Sequence, residues 1–461
     1  MTDTLSAALA RADANLDSSV DRLFELLRIP SISTDPAYAG ECRAAAGWLR
    51  DALGELGFAA SVRETAGLPM VVGHQRAQDG KPSVLFYGHY DVQPVDPLSL
   101  WEHDPFAPTI AEENGRKVIR ARGASDDKGQ LMTFVEACRA WREVTGSLPL
   151  NVSVLFEGEE ESGSPSLIPF VESTAEELKA DVALVCDSDM WDEATPSIIT
   201  MLRGLVGEEV EISAASRDLH SGMYGNAARN PLQVLAEIIA SLRNPDGSVA
   251  VEDFYDGVAE LPPHVAEQWK RLPFDGAAYL GAVGLSVPAG EAGRSVLEQI
   301  TSRPTCEING VSGGYTGEGF KTVIPAKASA KISFRLVGEQ DPQKIREAFR
   351  AHVRARLPED CTVRFSEHGG SPAITVPADG PMLTKALAAL TDEWGKEAAI
   401  AGTGGSIPIV GDFKRRLGMD SLLIGFAHAD DRIHSPNEKY NLESFHRGIR
   451  SWVRILDALA R

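Results

Sequence analysis

Two histidines and a scatter of carboxylates carry the chemistry in this chain. His89 and Asp91 form an H-x-D pair, and residues two apart on a strand share a face. A metal-bound imidazole commonly hands its other N–H to a carboxylate, so Asp91 suits the backing of His89. Taken alone, such a pair more often makes a surface hydrogen bond. Asp126 lies in Arg122-Gly123-Ala124-Ser125-Asp126-Asp127-Lys128-Gly129; a carboxylate there can bridge two cations or simply cap the next helix. Glu157, Glu159, Glu160 and Glu161 crowd one short segment, which costs Coulomb energy unless a cation or proton compensates. One of them can bind metal while a neighbour with a raised pKa moves protons; a solvated acidic loop is the plain alternative. Asp187 and Asp189 follow a further apolar run, and His434 sits in Arg432-Ile433-His434-Ser435-Pro436-Asn437-Glu438. Two imidazoles, three or more carboxylates and no thiolate suit zinc, manganese or cobalt in a hydrolytic site. Two such ions about 3.5–4 Å apart serve aminopeptidase-type chemistry.

These residues need a scaffold. Apolar runs at 83–87, 151–156, 181–186 and 421–426 read as buried strands, with a helical stretch at 129–141 between the first two. Strands alternating with helices indicate a mostly parallel α/β sheet, whose ligands bind beyond the carboxyl ends of the strands. The first three runs lead straight into the polar clusters at His89, Glu157–Glu161 and Asp187. Helices are expected at 20–27 and 41–57. The middle of the chain changes texture. Residues 206–213 alternate as a strand, 231–242 form an amphipathic helix opened by Pro231, and 327–337 alternate cleanly, with Ala328, Ala330, Ile332, Phe334 and Leu336 on one face. A helix at 342–357 and a strand at 362–367 follow, while 249–301 is irregular and stays unassigned. The expected plan is α/β: a catalytic domain in two segments, 1–205 and 371–461, interrupted by an inserted α+β domain at 206–370.

Composition narrows the function. The chain has 461 residues, enough for two or three domains or one large domain with an insertion, and is 43% hydrophobic and 24% charged. A net charge of −21 repels a phosphate backbone and speaks against nucleic acid as partner; solubility alone accounts for most of that charge. The five cysteines, Cys42, Cys138, Cys186, Cys306 and Cys361, are scattered and form no C-x-x-C. That opposes a disulfide framework or a thiolate zinc site and points to a reducing cytoplasm. The first 17 residues lack the apolar core of a signal peptide, and no run reaches the roughly 18–20 apolar residues of a membrane span.

Taken together, His89-x-Asp91, Asp126-Asp127-Lys128-Gly129, Glu160-Glu161-Ser162-Gly163-Ser164, Asp187 and His434 resemble the di-zinc peptidases and deacylases. That family includes carnosinase-type dipeptidases, bacterial carboxypeptidase G, aminoacylase and succinyl-diaminopimelate desuccinylase. Each motif alone is weak; the ordered set spans nearly the whole chain. The resemblance implies two divalent ions per subunit, zinc first and manganese or cobalt as substitutes. Asp126 would bridge them, His89 and Asp187 would complete one site, and Glu161 and His434 the other. Glu160 would be the general base, with a slip to Glu159 and Glu160 as the competing register. The family's inserted domain is a lid and dimerisation domain. In it, Asp218-Leu219-His220-Ser221-Gly222 resembles the segment whose histidine reaches the partner's active site in a homodimer, so His220 would hold the oxyanion. Asn226 departs from the glycine common in relatives, which leaves that loop's conformation open. Lys321-Thr322-Val323-Ile324-Pro325, Arg335, His368 and Gly404-Gly405-Ser406 resemble substrate contacts, with Thr322, Arg335, Ser406 and His368 touching substrate and Arg335 gripping its carboxylate. His74, His103, His264, His352, His428 and His446 match no ligand position and read as structural or surface residues.

The implied function is hydrolysis of dipeptides or short peptides with a free C-terminus. Asp126–Gly129 and Glu160–Ser164 look more like the dipeptidase branch than the deacylase branch. An N-acyl amino-acid deacylase or carbamoylase is the alternative enzyme. A non-catalytic metal- or peptide-binding protein and a plain α/β protein with surface acids are the rivals from other classes.

Overall fold

A computed structural model describes residues 3–76, 79–404 and 408–461. The described chain forms two compact units. The first comprises Met1–Thr200, Val376–Ala401 and Asp412–Arg461, and the second Met201–Thr375 with Gly402–Gly411.

The first unit is built on a mixed sheet. Its strand order is Ala59–Arg63, Met70–Gln75, Asn151–Glu157, Ser83–His89, Val182–Val185, Ser421–Leu423 and Ser197–Leu202. The four strands expected from apolar runs are the four that pair in parallel at its centre. They lack alternation because both faces are covered: all but the first residue of Ser83–His89 and of Asn151–Glu157 is buried. The flanking strands pair antiparallel. The run at 421–426 leaves the sheet after Leu423. Beyond it, Gly425 lies so close to Ser188 that a Cβ would stand 1.7 Å from the Ser188 carbonyl oxygen.

Helices Lys128–Thr145 and Leu442–Leu459 supply much of the core. The first carries buried side chains along most of its length and stops at Gly146, whose φ of 77° is the left-handed cap that glycine adopts without strain. Phe134 stacks on Phe86 of the sheet at 3.7 Å between ring centroids. Trp452 meets both rings edge-on at 5.4 and 5.5 Å and donates its indole N–H to Thr133 Oγ1 at 3.0 Å. Trp452→Ala removes a fully buried ring from this junction, a change that costs about 3–5 kcal/mol. The urea unfolding midpoint should fall accordingly, and an unshifted midpoint would show that the ring holds nothing together.

The second unit is an antiparallel sheet of order Thr305–Gly313, Lys327–Leu336, Gly204–Ser213 and Thr362–Ser371. Ala328, Ala330, Ile332, Phe334 and Leu336 are buried as the alternation requires. They pack in one cluster with Val234, Leu235 and Ile238 from helix Pro231–Ala240, and with Ile345, Phe349 and Val353 from helix Pro342–Arg354. Both helices open on an Asx-Pro pair: Asn230 accepts from Leu232 N, and Asp341 from Gln343 N and Lys344 N. The unassigned stretch holds three short helices, Pro263–Arg271, Gly276–Gly281 and Val296–Thr301.

Candidate metal centre

The parallel strands bring their carboxyl ends level. His89 ends its strand opposite Glu157, and Tyr87 pairs with Val185, so Asp187 emerges beside His89. His89 is fully buried; its Nδ1–H donates to the Asp91 carbonyl at 3.1 Å, with Asp91 Oδ1 at 3.4 Å. Nε2 is thereby the free nitrogen, and it lies 3.0 Å from Asp126 Oδ1 and 4.0 Å from Asp187 Oδ2. His434, at φ 60° in the left-handed region, approaches from the other side. Its Nε2 stands 2.9 Å from Asp126 Oδ2 and 3.2 Å from Glu161 Oε2. Asp126 therefore offers one oxygen to each imidazole. The five side chains form two groups that share it: His89, Asp126 and Asp187, and Asp126, Glu161 and His434.

Asp91 sits behind both groups. Its carboxylate accepts from Glu160 N at 3.2 Å and Glu161 N at 3.0 Å, tying the acidic turn to the His89 strand. Within that turn the glutamates separate. Glu159 is buried and spends both oxygens on backbone, accepting from Leu68 N at 2.8 Å and Ser166 N at 3.0 Å. Gly67 makes room for it, since a Cβ there would lie 1.7 Å from Glu159 Oε1. Glu161 turns to His434, and Glu160 is half-buried next to it. Glu157 receives the Tyr87 hydroxyl at 2.5 Å, and burial, followed by the opposing effect of its hydrogen bonds, leaves its carboxyl raised to about 7.

The electrostatics fit cations. Burial and then the Asp126 charge hold the Asp187 carboxyl well above the carboxylate range. Burial opposes a charged His89, yet hydrogen bonds with Asp126 and Asp91 hold the ring well above its ordinary value. His434 is pushed up to about 10 by hydrogen bonds with Asp126 and Glu161. The carboxylates thus demand positive charge at the two places where neutral imidazole nitrogens and carboxylate oxygens would ligate a divalent ion. Two oxygen- and imidazole-rich groups with a shared carboxylate fit a dinuclear centre.

Sequence reading missed several supporting contacts. Gln93 Nε2 donates to Glu161 Oε2 at 2.7 Å. Asp127, joined to Asp126 by a cis peptide, accepts from His89 N at 3.1 Å and from the Cys186 thiol at 3.2 Å. A third group, His428, Asp430 and Asp431, is occupied by protein partners: Asn441 and Ser444 on His428, Lys439 on Asp430 and Ser125 on Asp431. His74 bridges Ser153 and Glu177, His352 meets Ser241, and His446 meets Asp13.

The remaining predicted contacts belong to the second unit. His220 is exposed at the end of a two-residue strand paired with Val323–Ile324. Its Nδ1 accepts from Gly222 N at 3.0 Å, so the neutral ring carries its hydrogen on Nε2. Exposed Thr322 offers its carbonyl to Ser221 N. Arg335 lies on the half-buried face of its strand, and exposed His368 stands at a bulge, 3.3 Å from Glu209. Arg203 of the same unit was not foreseen; its Nε is buried without a partner. Ser406 lies outside the described residues.

An α/β scaffold that gathers two metal-ligand groups around one carboxylate at the carboxyl ends of parallel strands defines a metallohydrolase. The profile of peptidase family M20/M25/M40 matches residues 85–458, and the chain belongs to that family. It is 30% identical to the Cys-Gly metallodipeptidase dug1 of Schizosaccharomyces pombe, over 97% of each chain. To the human Beta-Ala-His dipeptidase it is 28% identical, over 85% of this chain and 78% of the relative. The M20 family metallo-carboxypeptidase Sso-CP2 of Sulfolobus solfataricus superposes with a TM-score of 0.75 at 32% identity, over 96% of this chain and 99% of that one. Among the described residues, no helix is long and apolar enough to cross a membrane.

Proposed function

We propose that this protein hydrolyses the amide bond of dipeptides, or of short peptides with a free C-terminal carboxylate. The observation that carries the reading is Asp126, whose two oxygens face two different imidazoles at 3.0 and 2.9 Å. The dipeptidase relatives support the substrate class. His89, Asp126 and Asp187 would hold one divalent ion and Asp126, Glu161 and His434 a second; zinc suits these ligands, with manganese or cobalt as substitutes. Bound there, the ions would supply Lewis acidity for a water nucleophile and for the scissile carbonyl.

The protein's own groups do the rest. Glu160 accepts a proton from the attacking water as the water oxygen bonds to the carbonyl carbon. It returns that proton to the amine nitrogen as the C–N bond breaks. The separation of Glu159 onto backbone amides supports Glu160 as base and Glu161 as ligand. Asp91 fixes the His89 ring and the Glu160–Glu161 backbone together. Arg335 is matched to a substrate carboxylate, and Thr322, Ser406 and His368 complete the substrate contacts.

The 206–370 segment would serve as a lid and dimerisation domain between the 1–205 and 371–461 segments of the catalytic domain. In a homodimer, His220 of the partner subunit would donate from Nε2 to the developing oxyanion. The edge strand Thr305–Gly313 supports self-association: Ile308 and Val311 are exposed on it, and an open apolar edge pairs readily with another chain. Five buried free cysteines agree with a reducing, cytoplasmic setting.

A panel of free dipeptides and N-acylated amino acids, run with and without chelator, tests the reading. Dipeptides should be cleaved, the activity should vanish with chelator, and added zinc, manganese or cobalt should restore it. Cleavage confined to the N-acylated compounds would assign the deacylase reaction instead, and chelator-resistant cleavage would refute metal dependence.

A further inference from the structure

Glu438 lies four residues past His434 and is completely buried. Its Oε2 accepts from Arg122 Nη1 at 2.7 Å and Gly123 N at 3.0 Å. Its Oε1 accepts from Ser125 N at 2.9 Å and Asp126 N at 3.1 Å. Three amides of one turn thus converge on a single carboxylate, and the guanidinium beside them balances its charge. Asp126 is fixed at both ends: its amide donates to Glu438, while its carboxylate oxygens face His89 and His434.

The loop that bears Glu438 is itself under backbone strain. Arg432, His434 and Asn437 all have φ near +60°, a region that asparagine tolerates but that is uncommon for arginine and is kept where surrounding contacts over-determine it. Such contacts are present. Asn437 bonds to Leu100 O and Glu102 N, Lys439 N donates to Asp431 O, and Asp431 accepts from Ser125 Oγ at 2.8 Å. Ser125 and Asp126 belong to the turn that Glu438 holds. One loop therefore presents His434 and also grips the backbone that aims Asp126.

We infer that Glu438 is a positioning residue for the dinuclear centre, clamping the Gly123–Asp126 turn to the His434 loop so that Asp126 reaches both ions. The inference rests on the dinuclear reading above. A carboxylate is required: in a Gln side chain of the same shape, one oxygen becomes an NH2 that meets N–H donors instead of accepting from them. An orienting partner of a metal ligand, when lost, typically weakens metal affinity about 10- to 100-fold.

The test titrates metal-free parent, Glu438→Gln and Glu438→Asp protein with Co(II), following visible absorption and stoichiometry, and records the melting temperature of each metal-free form. Glu438→Gln should bind its weaker Co(II) about 10- to 100-fold less tightly. With metal restored, kcat should fall and KM should stay near the parent's. Glu438→Asp, which keeps the charge but falls short by one methylene, should recover part of the affinity. A purely structural role would lower the melting temperature and leave Co(II) affinity and the absorption spectrum of the folded fraction unchanged; that result overturns the inference. Should Glu438→Gln not fold, Glu438→Asp decides by the same criterion. A parent that binds fewer than two ions would instead refute the dinuclear reading, so the two failures are distinguishable.

Discussion

Asp126→Ala should leave the purified protein without either metal ion and without measurable peptidase activity. The expectation follows from the sharing of one side chain. Among the described residues each candidate ligand group has three members, and Asp126 is the one they share. Its removal takes each group from three protein ligands to two, below the three that catalytic sites of this kind ordinarily keep. The loss should exceed the about 10²–10³-fold that removal of a single stabilising donor costs, because the nucleophile and its activation disappear together. Elemental analysis gives a graded check. The parent should carry two ions per chain, Glu161→Ala one, and Asp126→Ala none. If Asp126→Ala retains two ions, the shared-carboxylate centre is wrong.

Glu160→Gln should give the opposite pattern, with full metal content and a rate lowered by about 10²–10⁴-fold, the usual contribution of a positioned general base. Glu160 is placed by its backbone, which donates to Asp91 Oδ1 at 3.2 Å, and belongs to neither ligand group. Burial raises its carboxyl pKa above the ordinary glutamate value, which improves it as a proton acceptor. The substitution keeps the shape and removes the proton-accepting oxygen. Steady-state kinetics on metal-loaded protein checks it, and a variant turning over at the parental rate would remove Glu160 from the mechanism.

Much of this centre could be read from sequence because its parts sit where local patterns are strongest. Strands buried on both faces appear as unbroken apolar runs, and the polar residues directly after them must lie at the sheet's carboxyl edge. His89, Glu161 and Asp187 follow that rule. Other features were hidden for identifiable reasons. Met70–Gln75 is a buried strand, but Gly73 and His74 interrupt its apolar run, and His74 is satisfied by Ser153 and Glu177 from distant segments. Thr305–Gly313 is an edge strand, largely exposed, so it alternates only weakly. Helix Val296–Thr301 did carry a local signal, the Ser295–Glu298 capping box, inside a stretch too rich in Gly and Pro to show a period. The supports contributed by Asp127 and Glu438 act on backbone amides, and the direction of an amide is written in the fold rather than in residue types. The acidic run at Glu159–Glu161 shows the same limit: identical side chains are told apart only by which amides and imidazole they meet.

The position of the Ser421–Leu423 strand, between Val182–Val185 and Ser197–Leu202, has a bearing on biosynthesis. A nascent chain emerging from the ribosome exposes His89, Asp126, Glu161 and Asp187 early, while His434 and the strand that separates Val182–Val185 from Ser197–Leu202 are still unsynthesised. Until then two neighbouring strands present bare edges, a state prone to mispairing. The Glu438 that holds the Asp126 turn also belongs to that late stretch, so on the proposed reading both ion sites are completed only once it is in place. Metal loading is therefore expected to follow the late insertion, which closes the longest-range pairing of the sheet and is the slow step of maturation.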